Sequence, residues 1–490
     1  MNEASPVPNG ENAAETQPVP QTPPPSPPKA MKGDLTQGPI LRTLLMFSIP
    51  MLISSVLQTL NGSINAVWVG RLIGEGALAA TANANIIMFL LVALVIGFGT
   101  ATTVRVGQFF GARDVAAARQ NFGTGVGFCL LLGVITGVVG WIFTPAILTA
   151  LGTPDVSAAL AMAYLRVMFL TIPFGVVSMM VSMGLRGAGD SKTPLYAMII
   201  TAAVDVVLNP VLIMGVGPFP ALGISGSALA TAGANIAGLA YQLWRIYAQD
   251  LPLRLRGSEL GYLIPRGDAL RYIVTKGIPM GAQMVLVSSA GLVMIGLVNR
   301  EGLNASAAYG ASLQLWNYLQ MPAFAVSSAV SAMVAQALGA GQHKRVGDVT
   351  KVGLAATLGM SAVLAVLIVL LDRPLLALFL GGQSPALPIA QYIQLVCTPS
   401  FVLMCITMIL SGTMRAYGAV MVPMGIMFLA LYPARLGFYA VAYPVIGGDA
   451  VWWAYPAGSA VSVVLTVLYY TRGRWRRTDV MPPRAGAPAA

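Results

Sequence analysis

The sequence predicts an all-α polytopic membrane protein, with twelve transmembrane helices in two six-helix lobes related by a parallel repeat. Only 9% of the 490 residues are charged, against about 25% in ordinary soluble domains, and the mean hydropathy is +0.75. Motifs of the first half also return in the second half. A soluble enzyme does not fit this composition. No nucleic-acid partner is expected either, because the net charge of +11 comes from basic residues between apolar runs, where they act as orientation signals.

Apolar runs separated by charged residues locate the spans. A hydrocarbon core about 30 Å thick takes roughly 20 apolar residues per helical crossing. The runs give twelve spans of at least this length, six on each side of one long polar connection. They lie at 43–69, 77–104, 119–143, 157–183, 193–215, 223–246, 270–298, 305–337, 348–371, 386–412, 419–441 and 450–471.

The polar segments divide the chain further. Nine prolines among polar residues fill the first 30 positions, which predicts a disordered tail over residues 1–37 rather than a secretory signal. The first lobe is then expected at 38–246 and the second at 270–475. A basic linker at 247–269 joins the lobes, and a second tail covers 476–490.

The basic residues predict the orientation. If both termini are cytoplasmic, 23 of the 28 Lys and Arg residues lie in the tails, in the even-numbered connections or at the helix ends beside them. Such a bias is the pattern of cytoplasmic segments. We therefore expect a multi-pass protein with an even number of spans and both termini in the cytoplasm.

Three short patterns recur at nearly one offset. Ile49-Pro50-Met51 returns as Ile278-Pro279-Met280, and the Gln-x-x-Gly-Ala pattern at 108–112 returns at 336–340. A third pattern, Arg-x-x-Gly-x4-Pro, occurs at 186–194 and 415–423. Six spans per half give both halves the same orientation in the membrane. Two such lobes with a cleft between them are typical of an alternating-access transporter with a site near the midplane.

These motifs resemble the multidrug and toxic compound extrusion (MATE) family of bacterial type over residues 38–475. The resemblance lies in Pro50, in Asn-x3-Asn-x2-Trp-Val-Gly at 61–70, and in the strings QFFGARD (108–114) and GLRGAGDSKTP (184–194). It implies a secondary exporter of organic, often cationic, substrates in exchange for protons or sodium ions. The alternatives left open are a dedicated exporter of one endogenous metabolite and a lipid-precursor flippase of the same superfamily.

Asp205 is the candidate coupling residue. Sixteen of the 17 acidic residues fall in tails, loops or helix ends, whereas Asp205 falls well inside span 5. Thirteen residues after Lys192, at 1.5 Å each, place it about 20 Å deep. A charge at that depth costs at least about 2.5 kcal/mol, so it is expected to face the lobe interior and to have a function. The alternative is a buried acid that is hydrogen-bonded for structural reasons.

Several amide side chains are expected to lie near this carboxylate. Asn209 lies one helical turn after Asp205, and Gln58, Asn61 and Asn65 form a row on span 1. They are assigned with Asp205 to a proton or ion site, or else to hydrogen bonding between helices. Many members of the family that this chain resembles carry an aspartate at the position of Asn65, so this chain has one carboxylate fewer at the site. With Asp205 alone, proton exchange is favoured over sodium exchange. Sodium at Asp205 is the only metal ion considered.

Further polar residues are candidates for the substrate cleft. In the first half these are Asn83 and Asn235, and in the second half Gln283, Tyr309, Trp316, Asn317 and Arg435. Aromatic faces attract organic cations. Arg435 is the deepest cation and lies within one position of the repeat equivalent of Asp205. As a functional residue it would bind an anionic group or repel cations. As a structural residue it would hydrogen-bond unwound backbone near Pro433.

The remaining expectations concern partners and location. Cys129, Cys397 and Cys405 lie in apolar runs and form no disulfide or zinc pattern. We expect no cofactor other than H⁺ or Na⁺ as coupling ion, no enzymatic activity, membrane lipid and small organic molecules as partners, and a monomer. The resemblance places the protein in the bacterial inner membrane.

Overall fold

A computed structural model describes the backbone of residues 33–150, 155–218 and 220–477. Within these ranges it leaves undescribed the side chains of residues 75, 76, 78–80, 82, 83, 86, 87, 150, 155–157 and 477. Most of the predicted N-terminal tail and residues 478–490 lie outside the described part.

The first half forms six long helices at the predicted positions, each close to or longer than its apolar run. They are α1 (Ile40–Leu72), α2 (Glu75–Gly111), α3 (Val115–Ala150), α4 (Asp155–Gly187), α5 (Lys192–Met214) and α6 (Ile224–Ala248).

The second half repeats this arrangement with two additions. One is a short helix, α10, between the third and fourth crossings; the other is a π-type turn at Ala430–Ala434 that contains Pro433 and joins α12 to α13 in a single crossing. The helices are α7 (Gly267–Arg300), α8 (Leu303–Gly339), α9 (His343–Leu370), α10 (Asp372–Leu380), α11 (Leu387–Ala416), α12 (Met421–Leu429), α13 (Arg435–Ile446) and α14 (Asp449–Arg472).

Eleven described helical segments are long and apolar enough to cross a bilayer. The twelfth crossing is α6, which has 25 residues and packs against α4 and α5. Its sequence is rich in Ala, Gly and Ser, so it is less apolar than its neighbours, but small residues allow close packing between membrane helices. The all-helical, twelve-crossing fold is confirmed.

The helices of each half pack around their own core. In the first half, α4 packs against α2, α3 and α6, and α5 packs against α6. In the second half, α11 packs against α8, α9 and α14. The two halves contact each other through α1 and α2 on one side and α7 and α8 on the other.

Two segments outside the predicted spans make specific contacts with the helices. The tail was predicted to extend to residue 37, but Leu35 is only 6% exposed and its N–H donates to the Gln336 side chain at 2.8 Å. The boundary at residue 37 is therefore wrong. The linker contains a 3-10 turn, Gly257–Leu263, that packs on α3, where Arg119 pairs with Glu259 at 3.0 Å.

Candidate functional site

Asp205 lies in the middle part of α5 and is 2% exposed. The start of this helix is fixed by Asp190, whose Oδ1 accepts hydrogen bonds from the N–H groups of Lys192 and Thr193, both at 3.0 Å. Thirteen residues of helix then separate Lys192 from Asp205, a rise of about 20 Å. The local sequence thus places a carboxylate deep in the first half.

Side chains from three helices donate hydrogen bonds to the Asp205 carboxylate. Asn61 of α1 donates from Nδ2 to Oδ2 at 2.9 Å, and Thr231 of α6 donates from Oγ1 to Oδ1 at 3.1 Å. Asn209, one turn along α5, donates to the same Oδ1 at 3.1 Å. Donors of this kind stabilise the ionised carboxylate and offset part of the cost of its removal from water.

Two amide oxygens beside the carboxylate have no donor. Oδ1 of Asn61 and Oδ1 of Asn209 are enclosed and accept no hydrogen bond from the part of the chain that the structure describes. The site therefore combines one carboxylate with two free amide oxygens. The described side chains form no group of three or more His, Cys, Asp and Glu residues that could hold a metal ion. Such a site suits a proton or a monovalent cation.

A second polar group lies one turn further along α1. Asn65 accepts a hydrogen bond at its Oδ1 from Ser227 Oγ at 2.9 Å, and its side chain also lies close to the Tyr164 hydroxyl. Tyr164 is 2% exposed and comes from α4. These contacts connect α1 to α4 and α6 beside Asp205, so a movement of α1 would disturb both polar groups together.

The structure brings together some of the predicted site residues and separates others. Asn61 and Asn209 contact Asp205, and Asn65 lies in the adjacent group. Gln58 is exposed, and no hydrogen bond joins it to Asp205 among the described contacts. The side chain of Asn83 is not among those that the structure describes.

The sequence reasoning missed Tyr164, Ser227 and Thr231. A signal was present for the last two, because Ser227, Thr231 and Asn235 recur every four residues and so share one face of α6. Asn235 itself lies beside Gly175 of α4. The sequence contained no comparable signal for Tyr164, because its contact with Asn65 depends on the tertiary arrangement of the helices.

Two aromatic candidates for the substrate cleft are wrong as cleft-lining residues. Tyr309 and Trp316 are 3% and 1% exposed, and both belong to the packed core of the second half. Tyr309 hydrogen-bonds Tyr455, and Trp316 donates from Nε1 to Gln394 Oε1 at 3.0 Å. Their α8 face points toward α11 and α14 rather than toward an open cleft.

The other second-half candidates are dispersed. Gln283 is buried and donates to the Val420 carbonyl at 3.4 Å, whereas Asn317 is exposed. Arg435 is 6% exposed, follows directly on the π-type turn, and places its guanidinium 4.3 Å from the centre of the Tyr455 ring.

The two halves meet at one end through matched contacts. Gln108 Nε2 donates to the Ala416 carbonyl at 2.8 Å, and Gln336 Nε2 donates to the Gly187 carbonyl at 3.0 Å. Both donors and both acceptors are repeat equivalents. Beside them, a methyl group added at Gly111 would overlap the carbonyl group of Gln336. We call this contact the glutamine gate; it requires the two backbones to approach closely.

The segment Gly33–Gly38 lies across the glutamine gate. Gly33 adopts a φ of +90° and packs directly against the Ala188 carbonyl of the first half. On the second half, Gln336 contacts both Gly33 and Leu35, and Arg345 donates to the carbonyls of Leu35, Gln37 and Gly38. The segment therefore joins the halves to each other at this end.

Twelve helical crossings in two matched halves, joined at one end and containing a buried carboxylate, define a two-lobe membrane transporter. A MatE family model matches residues 50–211 and again residues 279–440, so the second match begins and ends 229 positions after the first. The chain belongs to the MatE family. It is a multi-pass membrane transporter and not an enzyme.

Similar proteins support this assignment. The probable multidrug resistance protein YoeA of Bacillus subtilis (strain 168) is 35% identical over 90% of this chain and 95% of its own length. An FAD transporter of Shewanella oneidensis is 26% identical over 70% of this chain and 75% of its own length. A solved MATE structure in complex with MaD3S has a TM-score of 0.83 at 21% identity, over 91% of this chain and 99% of that one. The chain thus belongs to the multidrug and MATE efflux transporter family.

Proposed function

We propose that this protein exports organic, cationic compounds in exchange for protons by alternating access, and that Asp205 is the coupling residue. The observation that carries the proposal is the geometry of the carboxylate, which accepts hydrogen bonds from α1, α5 and α6 at once. Protonation would remove its charge and weaken all three bonds. A proton can therefore change the packing of α1, which carries Asn61 and Asn65.

The orientation of the cycle follows from the basic residues. Arg113, Lys192 and Lys344 lie near the glutamine gate, at the helix ends assigned to the cytoplasm. With the halves joined at that end, we assign the arrangement to a state closed toward the cytoplasm. Proton binding at Asp205 would favour substrate release on the outer side, and opening of the glutamine gate would then return the proton to the cytoplasm.

Coupling requires the proton and the substrate to favour opposite states. A ligand shifts a conformational equilibrium only by its difference in affinity for the two states. An organic cation near an ionised Asp205 is stabilised by that charge, whereas a protonated Asp205 offers no such stabilisation. Competition for the carboxylate is the simplest form of exchange. Sodium could take the same place, with the free oxygens of Asn61 and Asn209 as further ligands.

The experiment uses proteoliposomes that contain the purified protein and ethidium, a fluorescent organic cation, with proton and sodium gradients imposed separately. Asp205→Asn is expected to abolish gradient-driven transport. Asp250→Asn, a surface substitution in the linker, is the matched control and is expected to leave transport unchanged. Transport by correctly inserted Asp205→Asn at the parent rate would overturn the proposal. If the parent transported ethidium under a sodium gradient but not under a proton gradient, the coupling ion would be sodium and not the proton.

One comparison favours a second candidate. The FAD transporter similar to this chain has a single named substrate, which makes a dedicated exporter of one metabolite the second candidate. A lipid-precursor flippase is the remaining alternative. Active proteoliposomes that move no tested cation, but release a metabolite from a loaded cell extract under the same gradient, would favour the dedicated exporter.

A further inference from the structure

The core of the second half contains a buried cation, Arg435, that forms no ion pair with any described acidic residue. Arg435 is 6% exposed, and its Nε is enclosed and makes no hydrogen bond within the described part of the chain. None of the ion pairs found among the described residues includes it. The Tyr455 ring, 4.3 Å away, supplies only a cation–π contact. A buried charge of this kind is costly without a partner of opposite sign.

A second unpaired donor lies in the same core. Gln394 is fully buried on α11, and its Oε1 already accepts from Trp316 Nε1 at 3.0 Å and from Thr398 Oγ1 at 2.7 Å. The Trp316 N–H, which can only donate, favours this orientation of the amide, because a flipped amide would place NH₂ against it. The Nε2 group is thus left as an enclosed donor without an acceptor among the described residues.

One aromatic cluster connects the two donors. The Tyr455 ring lies 5.6 Å from the Trp316 ring, and the Tyr455 hydroxyl hydrogen-bonds that of Tyr309. Arg435 contacts Tyr455, and Gln394 contacts Trp316, so both donors border this cluster. The buried hydroxyl groups without a described partner in the second half include Ser312 on α8 and Ser459 on α14, each about one turn from a residue of this cluster.

The surroundings of Asp205 and of Arg435 therefore differ in polarity. Beside Asp205 the unpaired buried atoms are the acceptor oxygens of Asn61 and Asn209. At the Tyr455 cluster they include the donor nitrogens of Gln394 and Arg435, and the charge is positive. An acceptor-rich interior attracts a proton or cation, and a donor-rich interior attracts an anion.

We propose that the second half contains an anion-binding site at Arg435 and Gln394. Its ligand is a small anionic group, either free chloride or a carboxylate carried by an organic molecule. Binding would neutralise the guanidinium and supply an acceptor for the Gln394 amide. The site is separate from the coupling site at Asp205 and does not depend on the proposed exchange.

The test is the thermal unfolding temperature of the purified full-length protein in detergent, as chloride replaces gluconate at constant ionic strength. A ligand that binds the folded protein raises this temperature in a concentration-dependent, saturable way. The parent is expected to respond, and Arg435→Gln to lose the response. Arg435→Lys, which keeps the charge but not the planar fork, is expected to need more chloride.

Two further variants make the test specific. Arg166→Gln changes another arginine within a membrane helix, packed on Trp141 in the first half, and is expected to keep the chloride response. Gln394→Leu retains the cation and removes the second donor, so it is expected to weaken chloride binding even if Arg435→Gln fails to fold.

A parallel titration with benzoate distinguishes the two sources of the anion. Stabilisation by benzoate and not by chloride, lost in Arg435→Gln, assigns the site to an anionic group on an organic molecule. If neither anion stabilises the parent, or if Arg435→Gln responds like the parent, the proposal is wrong. An inactive Asp205→Asn variant that still responds to chloride would separate this site from the transport proposal.

Discussion

Gln336 in the second half occupies the position that Gln108 occupies in the first, and each side-chain amide donates a hydrogen bond to a backbone carbonyl of the opposite half. The contact thus has the symmetry of the repeat itself. A symmetric contact that forms at one end of two lobes can open as a unit when they rotate apart.

A bulkier residue at the glutamine gate should force the halves apart. In Gly111→Ala the new methyl group overlaps the Gln336 carbonyl, and we expect the closed arrangement to lose about 1–3 kcal/mol. Spin labels on cysteines at Ala116 and Lys344, both exposed, would show a longer mean distance. The three native cysteines are buried and should label poorly.

Gly359→Ala is the matched control for this measurement. Gly359 also lies in a helix, but a methyl group there meets no atom within 4 Å. An unchanged distance is expected. If Gly111→Ala gave the same distance distribution as Gly359→Ala, the close approach at Gly111 would not hold the halves together.

The segment Gly33–Gly38 should stabilise the joined halves. Gly33→Ala introduces both a strained φ of +90° and an overlap with the Ala188 carbonyl. Gly267→Ala shares the strain, at φ +66°, but meets no atom within 4 Å. We expect Gly33→Ala to lower the thermal unfolding temperature further than Gly267→Ala does. Equal decreases would mean that the contact contributes nothing beyond the backbone strain.

Thr231 should stabilise the ionised carboxylate of Asp205. Thr231→Val keeps the shape of the side chain and removes the hydroxyl donor. We expect a loss of about 1–2 kcal/mol, because hydrogen bonds to charged groups exceed the average of about 0.6 kcal/mol between membrane helices. Urea unfolding in detergent measures the difference, and Thr231→Ser should restore most of it. A Thr231→Ser variant as unstable as Thr231→Val would argue against a role for the hydroxyl.

The linker should show a small acid-sensitive contribution to stability. A hydrogen bond from Arg256 lowers the pKa of Asp250, assisted by the charges of Arg256 and Arg254. A carboxylate with a lowered pKa stabilises the fold above its ordinary pKa of about 3.9, and this stabilisation is lost as the pH falls through the lowered value.

Asp250→Asn isolates this effect, because asparagine tolerates the positive φ of +48° at this position. The variant should unfold at a slightly lower temperature than the parent at pH 7. At pH 3 the difference should decrease. A difference of the same size at both pH values would mean that the charge of Asp250 is not its cause.

The helices could be predicted from the sequence because each crossing needs a long apolar run. α10 was missed because its nine residues are too few to cross a membrane. The π-type turn was missed because Pro433 indicates only that the backbone must deviate, and the type of deviation depends on the packing of α12 and α13 against α14.

The candidate site was only partly predictable. Asp205 and Asn209 share a helix face, which follows from helical periodicity. The polar row on α1 indicated Asn61, but the packing of α1 against α5 decides that Asn61, and not Gln58, contacts Asp205. Thr231 and Tyr164 reach the site only because α6 and α4 pack beside α1 and α5. The contact of Gly33 with Ala188 is likewise tertiary, and the composition of the tail gave no indication of it.

The most direct test of the central proposal measures protons released when substrate binds. Ethidium is added to purified protein in weakly buffered detergent at a series of pH values, and a pH-sensitive dye records the change. Competition at Asp205 predicts proton release by the parent and none by Asp205→Asn at equal ethidium binding. Equal release by both proteins, or binding to the parent with no release at any pH, would contradict it.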